Sequence, residues 1–146
     1  MKNILFLCTG NSARSIMAEG YMNHAGRGRW RAWSAGSTPT GKVNPFAIET
    51  LVVHGIEPPE DARSKTWDEF AAPDAPVMNA VVTVCDNAAS EVCPIWPTRD
   101  GEVLKKLHWS FPDPAAATGS NEEIRAAFAA VFDDIRTQID AYLKQS

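Results

Sequence analysis

The sequence contains no apolar stretch that approaches the roughly 20 residues needed by a membrane-spanning helix. Its N-terminus has only Lys2 and the apolar run Ile4-Leu5-Phe6-Leu7, which is shorter than the apolar region of a secretory signal peptide. No small-residue cleavage site follows this run. We therefore expect a cytoplasmic protein without a membrane partner.

Basic runs and cysteines are also scarce. The 146-residue chain has 14 Lys and Arg against 18 Asp and Glu, a formal net charge of −4, so we expect no nucleic-acid partner. There are three cysteines, and an odd number of thiols in a reducing compartment argues against a structural disulfide framework. Seven residues separate Cys85 from Cys93 and the three histidines are scattered, unlike the close ligand pairs of zinc sites, so we predict no metal site.

Length and composition are ordinary for one globular domain, which we assign to residues 1–146. Periodicity and turn residues predict strands at 2–7, 29–34, 78–85 and 104–109, of which the second is more exposed. They also predict helices at 12–25 and 44–54 and a helical turn at 67–70. A capping box at 120–123 begins a last helix. This alternation predicts an α/β fold with a parallel sheet covered on both faces. Ligands in such sheets bind beyond the carboxyl ends of the strands, where Cys8, Cys85 and the segment after Trp109 would lie.

The octapeptide at 8–15, Cys8-Thr9-Gly10-Asn11-Ser12-Ala13-Arg14-Ser15, joins the first strand to the first helix. The first amides of a helix lack intrahelical partners and the dipole adds partial positive charge there, so the loop at 9–14 can bind a tetrahedral oxyanion. Arg14 can add a forked contact to two oxygens of the anion, and the same field favours the thiolate of Cys8. Gly10 and Asn11 suit a tight loop with positive φ angles. The octapeptide therefore predicts an anion site with a sulfur nucleophile directed into it.

Two features of the octapeptide admit a plainer interpretation. Cys8 and Arg14 can be a buried cysteine and a surface arginine, but the strand before them, the Gly-Asn pair and the following serine favour catalysis. Ser15 is either a polar residue in the first turn of the helix or a hydroxyl that donates to the thiolate or the leaving-group sulfur. We favour the second interpretation and include Ser15 among the catalytic residues.

The octapeptide, followed by Met-Ala-Glu-Gly at 17–20, resembles the low-molecular-weight protein tyrosine phosphatase superfamily, and within it most closely the arsenate reductases. Further similar stretches lie at 33–36, 44–48, 82–85, 93–94 and 108–115, so the resemblance runs nearly end to end. It implies a three-layer α/β sandwich with a four-stranded parallel sheet and helices on both faces. It also implies Cys8 as nucleophile, Arg14 as oxyanion clamp and Asp113, within a Pro-Asp-Pro sequence, as the acid that protonates the leaving oxygen.

Two further thiols distinguish the enzymes that the resemblance leaves open. A phosphatase needs no second thiol, whereas an arsenate reductase takes two electrons from protein sulfur. In the reductase that the resemblance implies, Cys8 forms an arsenyl adduct, Cys85 attacks Cys8 with release of arsenite, and Cys93 then attacks Cys85. The plainer alternatives are that Cys85 is a small core residue at a strand end and that Asp113 belongs to an ordinary Asp-Pro turn.

We therefore predict an arsenate reductase, with arsenate or a phosphate-like oxyanion as substrate. The alternative is a protein tyrosine phosphatase that acts through a phosphocysteine, and a third possibility is a non-catalytic sensor of oxyanions or redox state. Ala115-Ala116-Ala117 follows the Asp-Pro motif where such phosphatases often carry tyrosines, which favours the reductase.

Two departures from the pattern concern the reductant. Ala13 occupies a position where many relatives carry a cysteine, so any relay must use Cys85 and Cys93. The segment between those two cysteines is one residue longer than in the thioredoxin-coupled relatives. We expect no bound cofactor and an external thiol reductant, with thioredoxin favoured and glutathione or glutaredoxin left open.

A third departure concerns potassium. Some relatives bind this ion beside the loop through residues that match Asn11, Glu19 and Ser34, and they have an acidic residue in a later segment. This chain has Ser64-Lys65 in that segment. Because the ammonium group of Lys65 can replace the ion, we predict that activity does not require potassium.

Overall fold

The sheet is built around β1 (Lys2–Leu7), whose four apolar residues at 4–7 are fully buried. The structure is a computed structural model that describes residues 2–10, 13–37, 39–59, 64–70, 74–84, 105–114 and 117–145. Parallel pairing joins β1 to β2 (Trp30–Ala35) and to β3 (Ala80–Thr83), and β3 to β4 (Lys105–His108). The order β2-β1-β3-β4 makes β1 an inner strand. Ile4 and Phe6 belong to one core cluster and Leu5 and Leu7 to another, so both faces of β1 are covered, which explains its continuous apolar run.

Within the described residues, three α-helices pack over one face of the sheet: α1 (Arg14–Ala25), α2 (Pro45–Val53) and α3 (Asn121–Gln145). α3 contributes an apolar face to the core, formed by Phe128, Val131, Phe132, Ile135, Ile139 and Leu143. The opposite face is covered, within the described residues, by a 3-10 helix (Trp67–Phe70) and by Met78. The predicted three-layer α/β sandwich with a four-stranded parallel sheet is thus confirmed.

Helix boundaries follow the capping residues in the sequence. The side chain of Asn44 accepts a hydrogen bond from the N–H of Phe46 at 2.9 Å, and Pro45 occupies the first turn of α2. Ser120 Oγ accepts from the N–H of Glu123 at 3.2 Å and caps α3. α1 begins at Arg14, two residues later than the predicted boundary, because Ala13 is its N-cap.

The edge strand β2, predicted as a more exposed strand, has one exposed residue among its six. Trp30, Ala32 and Ser34 are buried and Arg31 is exposed. The side-chain amide of Asn23 in α1 explains part of this burial, because it accepts from the N–H of Ala32 at 2.8 Å and donates to its carbonyl at 3.2 Å. A side chain of α1 thus bonds β2 as a neighbouring strand would.

A side-chain hydrogen bond joins helices α1 and α3. The hydroxyl of Tyr21 donates to Oδ1 of Asp140 at 2.6 Å. Burial and the neighbouring Asp140 carboxylate raise the pKa of Tyr21 to about 12.

No helix in the described ranges is long and apolar enough to span a membrane.

Candidate active site

Cys8 lies directly after β1, at the carboxyl edge of the sheet, with only 6% of its surface exposed. Its N–H donates to the carbonyl of Ala35 at 3.2 Å, and the N–H of Val84 donates to the carbonyl of Leu7 at 2.8 Å. Hydrogen bonds from both neighbouring strands therefore fix the backbone that carries the thiol. The structure places Cys8 at the strand end, as the sequence predicts.

At the start of α1, the described residues supply neither a capping side chain nor an acidic side chain. Its N-cap, Ala13, has no polar side chain to bond the first amides, and no acidic residue occupies the first turn. Of the predicted anion-binding residues, Thr9 and Gly10 are partly exposed, whereas Ala13 is buried. Asn11 and Ser12 lie outside the described residues.

The carbonyl of Gly10 accepts two hydrogen bonds from distant segments. The N–H of Thr40 donates to it at 3.0 Å and the hydroxyl of Ser64 at 2.9 Å. The N–H of Gly41 in turn donates to Ser64 Oγ at 3.2 Å. Sequence reasoning did not identify these contacts, because nothing in the spacing of residues 10, 40 and 64 indicates that they meet.

Gly36, after β2, lies against the backbone of the nucleophile loop. Its N–H donates to the carbonyl of Lys65 at 2.9 Å, and its carbonyl accepts from the N–H of Trp67 at 2.9 Å. A Cβ atom at this position would collide with the carbonyl oxygens of Cys8 and Thr9. The glycine therefore permits the close approach of two backbone segments, besides the turn that the sequence suggests.

Arg14 and Asp113 meet beside the helix start. Arg14 Nη1 donates to the carbonyl of Phe111 at 3.0 Å, and Nη2 lies 3.8 Å from Oδ2 of Asp113. The two side chains are 15% and 46% exposed, so the ion pair adds at most about 1 kcal/mol of stability. The contacts of Arg14 instead position two segments, because the guanidinium joins the start of α1 to the segment that follows β4. A guanidinium has five N–H donors, so these contacts leave others for an anion.

A buried charged cluster lies beside this loop. Ser34 Oγ donates to Oε1 of Glu19 at 2.5 Å, and Lys65 Nζ is 3.9 Å from the same oxygen. The Lys65 and Glu19 side chains are only 3% and 8% exposed. The Lys65 ammonium already lies beside Glu19, one of the residues that match the relatives' potassium ligands, and Ser34 bonds the same Glu19 oxygen, so these groups do not fit a bound potassium ion.

The remaining predicted catalytic residues have different positions. Ser15 is fully buried in the first turn of α1, and its role in the reaction stays a prediction. Cys85 and Cys93 lie outside the described residues, so their relay also stays a prediction. Within the described residues, no three His, Cys, Asp or Glu side chains form a cluster that could hold a metal ion.

The sequence is similar to one protein family and to curated arsenate reductases over nearly its whole length. The model of the family described as low molecular weight phosphotyrosine protein phosphatase matches residues 3–146. An arsenate reductase of Halalkalibacterium halodurans is 40% identical over 141 residues, which cover 97% of this chain and 94% of the relative.

Solved structures agree in fold. One described as an arsenate reductase in the phosphate binding state has a TM-score of 0.68 at 28% identity, and covers 97% of this chain and 98% of its own. A low molecular weight protein tyrosine phosphatase from T. tengcongensis has a TM-score of 0.74 at 22% identity, with both chains fully covered, and shows the shared fold alone.

Proposed function

The chain belongs to the low molecular weight phosphotyrosine protein phosphatase family, and on this premise we propose that it is an arsenate reductase. The observation that carries the proposal is the 40% identity to an arsenate reductase over nearly the whole of both chains. The meeting of Arg14 and Asp113 beside the start of α1, one loop away from the Cys8 thiol, supplies the site. A nucleophile, an oxyanion clamp and a proton donor are the groups that attack on arsenate requires. The relatives named arsenate reductases and the presence of three cysteines favour reduction over hydrolysis.

The first step joins sulfur to arsenic. The Cys8 thiolate attacks arsenate bound by the loop amides and by Arg14. An S–As bond forms, one As–O bond breaks, and Asp113 delivers the proton with which the displaced oxygen leaves as water. Arsenic remains As(V) in this adduct, so no electron has yet been transferred.

The second and third steps transfer the electrons. The Cys85 thiolate attacks Sγ of Cys8, and an S–S bond forms as the S–As bond breaks. The electron pair of the broken bond stays on arsenic, which leaves as arsenite, As(III). The Cys93 thiolate then attacks Sγ of Cys85, releases the Cys8 thiolate and leaves a Cys85–Cys93 disulfide.

External thiols complete the cycle by reducing that disulfide, either one dithiol or two monothiols. We propose thioredoxin for this role, with glutathione and glutaredoxin as the alternatives. No bound cofactor enters these steps, because both electrons come from protein sulfur and then from the external thiols.

Phosphomonoester hydrolysis is the second candidate. It is favoured by the Arg14–Asp113 pair itself, because a phosphocysteine on Cys8 would use the same clamp and the same acid. The two functions differ in their need for thiols, since hydrolysis of a phosphocysteine requires water and neither Cys85 nor Cys93.

The experiment compares two reactions in the same cysteine variants. Arsenate reduction is followed as NADPH consumption with thioredoxin and thioredoxin reductase, and phosphatase activity as p-nitrophenyl phosphate hydrolysis. We expect Cys8→Ser to abolish both reactions, and Cys85→Ser and Cys93→Ser to lose arsenate turnover alone. The retained hydrolysis controls for correct folding. Full arsenate turnover by Cys85→Ser would refute the relay, and wild-type protein active only on the phosphate ester would favour the phosphatase.

A further inference from the structure

The hydroxyl of Ser64 is held by one segment and donates to another. It accepts from the N–H of Gly41 at 3.2 Å and donates to the carbonyl of Gly10 at 2.9 Å, across 54 positions of sequence. A hydroxyl has one proton, so the bond from Gly41 leaves that proton for Gly10. The N–H of Thr40 also donates to the Gly10 carbonyl, so this oxygen accepts two hydrogen bonds, one for each of its lone pairs.

The backbone around Ser64 is also fixed. The carbonyl of the next residue, Lys65, accepts from the N–H of Gly36 at 2.9 Å, and its ammonium group is buried beside Glu19. Gly36 in turn lies against the carbonyls of Cys8 and Thr9. The Ser64 hydroxyl is therefore presented to the loop from an ordered position.

The orientation of the Gly10 carbonyl matters for an anion. A loop that binds an oxyanion with its amides must keep its carbonyl dipoles turned away from the negative charge. Glycine resists rotation of its own backbone less than other residues do, so the loop sequence alone fixes this peptide weakly.

We propose that Ser64 is a positioning residue for oxyanion binding, which holds the Gly10 peptide in the orientation that the anion requires. The proposal rests on the proposed use of this loop as the oxyanion site. It applies equally to arsenate reduction and to phosphate ester hydrolysis, because both begin with the same binding step.

Inorganic phosphate tests the proposal without any turnover. Its dissociation constant is measured by isothermal titration calorimetry for wild type, Ser64→Ala, and the pair Ser64→Thr and Ser64→Val. The last two side chains have nearly the same shape, so their difference isolates the hydroxyl. Thr137→Ala is the matched control, because it removes a hydroxyl-to-carbonyl bond of 2.8 Å on the exposed side of α3. Thermal unfolding is recorded for every variant.

Loss of one hydrogen bond predicts that Ser64→Ala and Ser64→Val bind phosphate roughly three- to tenfold more weakly. We expect Ser64→Thr and Thr137→Ala to bind like wild type. The KM for arsenate should rise by the same factor as the dissociation constant while kcat changes little, since the lost interaction serves binding in both ground and transition states.

Equal phosphate affinity in the Thr and Val variants would overturn the proposal, as would a fall in kcat without weaker binding. A Ser64→Ala protein that does not fold leaves the Thr and Val pair to decide. If wild type binds phosphate but does not reduce arsenate, the proposed reductase fails while the Ser64 comparison still stands.

Discussion

The buried pair of Lys65 and Glu19 gives the most direct test of the energetics beside the loop. Their charged atoms are 3.9 Å apart and their side chains are 3% and 8% exposed. At an effective dielectric constant of about 20, opposite charges at that distance attract by about 4 kcal/mol. Removal of one partner leaves the other charge in a poorly solvated position, which typically costs about 3–5 kcal/mol.

We predict that Lys65→Met lowers the free energy of unfolding by about 3–5 kcal/mol, and that Glu19→Gln has a comparable effect. The double variant should lose clearly less than the sum of the two, since neither charge is then left alone. Urea unfolding with the cysteines kept reduced measures these values. For a chain of this size, such a loss corresponds to a fall in Tm of roughly 10–16 °C.

A second ion pair in the same protein tests whether burial or the distance between the charges determines the contribution to stability. Arg125 Nε is only 2.9 Å from Oε1 of Glu49, yet the two side chains are 51% and 41% exposed. We expect Arg125→Met to cost at most about 1 kcal/mol despite the shorter contact. A loss for Lys65→Met as small as that of Arg125→Met, or single losses that simply add in the double variant, would refute the reasoning.

Two further predictions concern ions and pH. Because the Lys65 ammonium lies beside Glu19, replacing sodium chloride by potassium chloride at equal ionic strength should leave kcat and KM for arsenate unchanged; strong stimulation would contradict this. The pKa of Tyr21 is raised to about 12 from an ordinary value of 10. Its protonated form therefore stabilises the fold fully below pH 10, and that contribution is lost as the pH rises from 10 to 12. Unfolding free energies across this range should converge for wild type and Tyr21→Phe; a constant difference would refute the assignment.

Much of the sheet and its helices could be predicted because each element carries local signals. The fully buried run at 4–7, the Asn44 cap before Pro45 and the apolar spacing along α3 each specify one element without tertiary information. The predicted start of α1 was two residues too early, because the residue at the N-cap is an alanine and gives no capping signal in the sequence.

The positions of the candidate site residues in the fold were predictable where those residues are close in sequence. Cys8 and Arg14 lie in one octapeptide, and a strand followed by a helix positions both. The bonds from Ser64 to Gly10 and from Arg14 to Phe111 join segments that are remote in sequence. Ordinary serines and backbone carbonyls have no spacing rule, so only the folded chain identifies such contacts. The burial of β2 was underestimated for the same reason, since the Asn23 contact depends on how α1 packs.

The Asn23 contact also affects how copies of this protein meet each other. An edge strand with open backbone groups is a template on which another chain can add a strand. At one edge of this sheet, the Asn23 amide occupies both backbone groups of Ala32. At the other edge, β4 is short and carries the exposed Lys105 and Lys106, whose charges repel a second copy of the same strand. Intermolecular β-pairing is thus disfavoured at one edge by a hydrogen-bonding side chain and at the other by charge, which guards the folded protein against aggregation through its sheet.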